Sequence, residues 1–111
     1  MDNLTEILKT TKIKVVLISF PHNPTTLTVT QEFYDRLVLL ARAHNFLIVN
    51  DFAYSDVFFE GQRPPSLLYS DRELTNSVEL YSLTKGYSMA GWRVGFAVGN
   101  KEAIQLSLIH I

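Results

Sequence analysis

The chain contains no cysteine. Disulfides, thiolate metal sites and cysteine nucleophiles are therefore excluded together, and the usage suits a reducing compartment. An excess of charge of either sign is missing too: ten Lys and Arg face eleven Asp and Glu, for a net charge of −1. No basic run is long enough to follow a phosphate backbone, which argues against a nucleic-acid partner. The longest apolar run, "VVLI" with its flanks, is far too short to span a membrane, and the opening "MDNLTEILKTTK" is too polar for a signal peptide. The histidines, His22, His44 and His110, are widely spaced and form no metal-binding pattern. The expectation is a cytoplasmic protein with neither a membrane nor a nucleic-acid partner, and with no metal.

What is present is the material of a globular core. Of 111 residues, 47% are hydrophobic and 19% charged, enough for one domain of ordinary size. "LTEILKTTK" reads as the end of a helix that can begin outside this chain. "KVVLISF" (Lys14–Phe20) is a continuous β-branched and aliphatic run, as in a buried parallel strand, and Pro21 and Pro24 end it. Thr28 and Gln31 have capping-box spacing, predicting a helix to about His44 with Phe33, Leu37, Leu40 and Ala41 on one face. "FLIVN" (Phe46–Asn50) predicts a second buried strand, followed directly by Asp51, with Tyr54 three residues on at the spacing of a helical turn. "GQRPPS" reads as a loop, "SVELYSL" (Ser77–Leu83) as a third strand and "RVGFAVGN" as a fourth, with "KEAIQ" opening a helix. The order predicts an α/β fold with a mainly parallel sheet, flanking helices and no internal repeat.

In such sheets ligands bind outside the carboxyl ends of the strands. Asn23, Asp51 and Lys85 each follow a predicted strand, so parallel neighbouring strands would turn all three towards one crevice. Singly, each has an ordinary explanation: turn chemistry for Asn23, a helix cap for Asp51, packing for Tyr54, a solvated charge for Arg93. Jointly they suit one chemistry. A lysine amine is a nucleophile towards an aldehyde and captures it as a Schiff base. Pyridoxal phosphate bound in this way needs a carboxylate to keep its ring nitrogen protonated, which Asp51 can supply. Asn23 and Tyr54 can donate to the ring oxygen. Ser82, Thr84 and Arg93 can hold the phosphate, the last through two parallel bonds.

These residues resemble the large domain of the class I and II aminotransferases, the fold-type I pyridoxal-phosphate enzymes. The resemblance is carried by Asn-Pro-Thr at Asn23–Thr25, Asp51 and Tyr54 in "NDFAYSD", "SLTK" at Ser82–Lys85 and "GWRVGF" at Gly91–Phe96. It implies that Lys85 carries the cofactor covalently and moves a proton between substrate and cofactor. It implies that Asp51 pairs with the ring nitrogen, that Asn23 and Tyr54 bond the ring oxygen, and that Ser82 and Arg93 hold the phosphate. Lys85, Tyr54 and Asp51 are then the catalytic group. The implied substrates are an amino acid and a 2-oxo acid, and the implied assembly of the intact protein is a homodimer. "FPHNPTT", "YSDVFFEGQRPPS" and "YSMAGWRVGFAVGN" are most similar to the branch with alanine transaminases and LL-diaminopimelate aminotransferases.

Two departures stand out. Thr26 occupies a place where the family usually has glycine, with little consequence expected for cofactor binding. The end "LSLIHI" departs from the family's long helix, so residues 1–105 are expected to form part of the large domain and 106–111 a non-native tail. The resemblance also implies an upstream phosphate turn, a stacking aromatic and a small domain with a carboxylate-binding arginine, none within these residues. The chain alone is therefore expected not to transaminate. Three rival readings remain open at this point: a fold-type I lyase, a non-catalytic truncated product, and a serine enzyme using Ser82-Leu-Thr-Lys85. The last requires that motif to open a helix and to be joined by a Lys-Thr-Gly strand, which the sequence lacks.

Overall fold

The computed structural model describes residues 1–59 and 61–109. Helix α1 (Asp2–Thr10) leads to β1 (Val15–Ser19). Helix α2 (Gln31–His44) then crosses to β2 (Leu47–Asp51), and a short helix α3 (Leu67–Ser70) precedes β3 (Ser77–Ser82). A one-turn helix α4 (Leu83–Gly86), a 3-10 turn (Ala90–Trp92), β4 (Gly95–Gly99) and α5 (Lys101–Ile109) complete the order. The helix expected from "KEAIQ" thus runs through Leu106 to Ile109, while His110 and Ile111 of the expected tail lie outside the described residues.

The four strands form one sheet in the order β1-β2-β3-β4. The first three are parallel, and β4 returns antiparallel to β3. This is the mainly parallel α/β sheet with flanking helices that the order of elements predicts. At the β3–β4 edge, Gly99 (φ +149°) lies so close to its partner strand that a Cβ there would clash with the Ser77 carbonyl oxygen. Only glycine allows that approach.

Helix α2 is capped by Thr30, not Thr28: the Thr30 side chain accepts from Phe33 N at 3.3 Å. Its buried stripe is Tyr34, Leu37, Val38 and Ala41, while Phe33 and Leu40 are only half-buried. The predicted face is thus turned by about one residue, because Tyr34 reaches a buried polar partner beneath the helix. Leu37 and Val38 pack with Leu8, Phe46, Ile48 and Leu67 in the core, each such burial stabilising the fold by about 1.5–3 kcal/mol. The helix ends on Asn45 in the left-handed conformation (φ 55°), an ordinary C-terminal stop.

Candidate active site

Parallel register brings the strand ends level: Ser19 pairs with Asp51, and Asp51 with Leu80. Asn23 lies four residues beyond β1. Asp51 is the last residue of β2, and Lys85 sits inside α4, three residues beyond β3. The expected placement past three parallel neighbours is therefore present, with Lys85 on a short helical turn.

Asn23 stands in a tightly closed loop. His22 N donates to Leu27 O at 2.9 Å, and Thr26 N to His22 O at 2.8 Å. His22 Nδ1 and Thr25 Oγ1 are 2.8 Å apart. Closing this loop puts Thr26 at φ 58°, a region in which a β-branched residue is strained and glycine is not.

Asp51 is exposed, and its Oδ1 accepts from Ala53 N at 3.1 Å. That bond starts a run of turns in which Ser55 N donates to Phe52 O and Val57 N to Tyr54 O. Tyr54 is thereby half-buried next to the strand ends. Lys85 is exposed, with Nζ 5.6 Å from the centre of the Tyr54 ring.

Ser82 is the N-cap of α4, accepting from Thr84 N at 3.2 Å. Leu83 N donates to Val94 O at 3.2 Å, which returns the chain so that Arg93 lies beside the Ser82–Thr84 turn. Arg93 itself has φ 53°, an uncommon conformation for a non-glycine residue. Among the described residues, the side chains of Asn23, Tyr54, Lys85 and Arg93 form no hydrogen bond or ion pair with another residue. These donors, and the second oxygen of the Asp51 carboxylate, remain available to a ligand.

Two clefts adjoin the strand ends. One of about 740 Å³ is lined by Asn23 and Tyr54 together with Val29, Val57, Phe58 and Pro64. Ser82 lines a separate cleft of about 450 Å³ with Tyr81, Tyr87, Phe96 and Arg63. Asp51, Thr84, Lys85 and Arg93 line neither. Tyr54 is thus joined to Lys85 and to Asn23, and Ser82 to Thr84, but the two groups do not share one cavity. Among the described residues no cluster of three or more His, Asp or Glu could hold a metal ion.

Sequence reasoning passed over a buried polar network just behind these residues. Glu79 and Asn50 are fully buried and are register partners on β3 and β2. Glu79 Oε1 accepts from Asn50 Nδ2 at 3.1 Å and Leu67 N at 2.7 Å. Its Oε2 accepts from Ser66 Oγ at 2.7 Å and Tyr81 Oη at 2.8 Å. Asn50 Nδ2 also donates to Tyr34 Oη at 3.2 Å, and Asn50 Oδ1 accepts from Phe20 N at 3.3 Å. Burial, and then the Glu79 carboxylate, push both tyrosine hydroxyls well above their ordinary pKa, so both stay protonated. The available signal was a glutamate inside the apolar run "SVELYS".

The sequence profile of the aminotransferase class I and II family matches residues 1–108. The chain belongs to that family. This aminotransferase segment is 43% identical over 94 residues to LL-diaminopimelate aminotransferase 2 of Trichormus variabilis (strain ATCC 29413 / PCC 7937), covering 85% of this chain and 24% of that protein. It is 41% identical over 93 residues to the glutamate-pyruvate aminotransferase AlaC of Escherichia coli (strain K12), covering 84% and 23%. The crystal structure of aspartate aminotransferase from Thermotoga maritima superposes with a TM-score of 0.80 at 31% identity, over 92% of this chain and 27% of that one. The chain therefore spans about a quarter of the length of these relatives. The first two names fall in the branch that the motifs resembled. Membership in the aminotransferase family also removes the serine-enzyme reading of Ser82 and Lys85, although Ser82 does open a short helix.

Proposed function

We propose that the intact protein carrying this segment transfers an amino group between an amino acid and a 2-oxo acid, using pyridoxal 5'-phosphate held on Lys85. The observation that carries the reading is the position of Lys85 Nζ, 5.6 Å from the Tyr54 ring at the level ends of three parallel strands. It has no anionic partner there among the described residues.

By residue type the donor set fits the cofactor, although Asn23 and Tyr54 line one cleft, Ser82 another, and Asp51, Thr84, Lys85 and Arg93 neither. Asp51 offers a carboxylate with one oxygen still free, suited to holding a proton on the ring nitrogen. Asn23 and Tyr54 share one cleft and supply amide and phenol donors for the ring oxygen. The hydroxyls of Ser82 and Thr84, with the backbone of Arg93 returned next to their turn by the Leu83 N to Val94 O bond, suit a phosphate by type. When bound, the cofactor supplies an electron sink for the substrate's α-carbon. Lys85 Nζ would hold the cofactor and, once released from it, would move one proton between the substrate's α-carbon and the cofactor. A homodimer is the assembly proposed for the intact protein.

Borohydride reduction of the intact protein incubated with pyridoxal phosphate tests the assignment. The expected result is a stable label on the peptide containing Lys85, together with formation of 2-oxo acid from an amino-acid donor. A label on Lys14 or Lys101 alone would overturn the site, and release of ammonia without amino transfer would make the protein a lyase.

A further inference from the structure

Glu79 is a fully buried carboxylate that the chemistry above does not use. Its two oxygens accept four hydrogen bonds, two apiece, so its acceptor capacity is filled without a cation. Stability alone is a weak reason for keeping such a group, because apolar packing of similar volume often serves as well as a buried charge. The partners it holds give a better reason. Asn50 immediately precedes Asp51, and Tyr81 immediately precedes Ser82 and the turn carrying Lys85. Asn50 Oδ1 reaches across to Phe20 N at 3.3 Å, at the root of the loop that carries Asn23. One hub therefore ties together the ends of β1, β2 and β3. A slip of one residue between β2 and β3 would turn Asn50 or Glu79 to the opposite face and break the pair.

We infer that Glu79, through Asn50 and Tyr81, is a positioning residue that sets Asp51, Lys85 and Asn23 relative to one another. The inference rests on the proposed roles of Lys85 and Asp51. Its geometric basis is the chain of bonds from Glu79 to Asn50 at 3.1 Å, from Asn50 to Phe20 at 3.3 Å, and from Tyr81 to Glu79 at 2.8 Å.

The test uses the intact protein with pyridoxal phosphate and follows the pH midpoint of the bound cofactor's visible absorption band. That midpoint reports on the charges and hydrogen bonds around the lysine nitrogen. Glu79→Gln keeps the side chain's shape but replaces an acceptor oxygen with a donor amide facing existing donors. It is expected to move the midpoint by about half a pH unit or more and to lower kcat about tenfold, with a smaller change in KM. Tyr81→Phe removes one bond to the hub, keeps the ring, and should give a smaller change in the same direction. Leu37→Ala, in the core and without a hydrogen bond to the hub, should lower the melting temperature and leave the midpoint in place.

Should Glu79→Gln fail to fold, Tyr81→Phe decides. An unmoved midpoint and unchanged kcat in the folded variant overturn the positioning role, even if melting falls. So does an equal shift in Leu37→Ala. A wild-type protein that gives no cofactor band and no label on Lys85 overturns the proposed function and this inference together. A labelled wild type with an insensitive hub overturns the inference alone.

Discussion

Lys85 Nζ faces the Tyr54 ring at 5.6 Å, joining a turn that follows β2 to one that follows β3. The ring holds the cation by its face, while the phenol oxygen makes no hydrogen bond within the described residues and is left for a ligand. Tyr54→Phe should therefore keep Lys85 in place and the melting temperature unchanged. Turnover of the intact protein should fall about tenfold, as for the loss of one hydrogen bond to a charged group. Unaltered turnover in a steady-state assay would reduce Tyr54 to packing.

Asp51 caps Ala53 N through Oδ1, and an asparagine carbonyl can make the same bond. Asp51→Asn should accordingly preserve the turn and much of the bound cofactor. It removes the negative charge proposed to stand beside the ring nitrogen, so turnover should fall by about two orders of magnitude or more. Measuring cofactor content and turnover on the same sample separates the two effects. Near-normal turnover would leave Asp51 as a turn cap only.

Arg93 holds an uncommon φ of 53° beside the Ser82–Thr84 turn. A planar guanidinium can make two parallel bonds to phosphate, whereas a lysine amine is a point charge. Arg93→Lys should weaken pyridoxal phosphate binding about tenfold in an equilibrium titration, with little change in melting. Equal affinity would make Arg93 an ordinary surface cation.

Thr26 has φ 58°. The left-handed region costs a residue bearing a Cβ about 1–2 kcal/mol, and glycine's extra freedom in the unfolded chain offsets about half of that. Thr26→Gly should stabilise the intact protein by about 0.5–1 kcal/mol. A lower unfolding midpoint in denaturant would refute this.

Asp71 is fully buried and anchors the turn before β3. Burial raises its carboxyl pKa, but the bonds from Arg42 Nη2, Asn76 N and Thr75 Oγ1 outweigh burial and hold it below the ordinary range. A depressed native pKa means that this stabilisation is complete above the unfolded value, about 4. It is lost as pH falls through the lower native value. Melting followed between neutral and acid pH should show a steep acid limb that flattens in Asp71→Asn. An identical limb in that variant would assign the acid sensitivity to other groups.

Local pattern alone determined a good deal. Continuous apolar runs announced β1, β2 and β3, the helical period announced α2, and the intervening helix made β1 and β2 parallel, since that connection is long enough to cross over. The residues of the candidate site were legible because Asn23, Asp51, Tyr54, Ser82, Thr84 and Lys85 lie at or just past a strand end, and Arg93 just before a strand, in recognisable motifs. Other features depended on distant partners. The connection of residues 83–94 is compatible with a crossover or a return, and only the pairing of Val78–Ser82 with Gly95–Gly99 shows that β4 turns back antiparallel. "RVGFAVGN" starts its strand at Gly95 because Arg93 takes a left-handed φ after the 3-10 turn. Thr30 displaced Thr28 as the cap, and Tyr34 displaced Phe33 on the buried stripe, once the Asn50 amide beneath α2 offered Tyr34 a bond. The pairing of Asn50 with Glu79 was hidden for the same reason. Side-chain period tells which face a residue takes, but which polar group meets which across a sheet is decided by register, and register exists only when the strands have met.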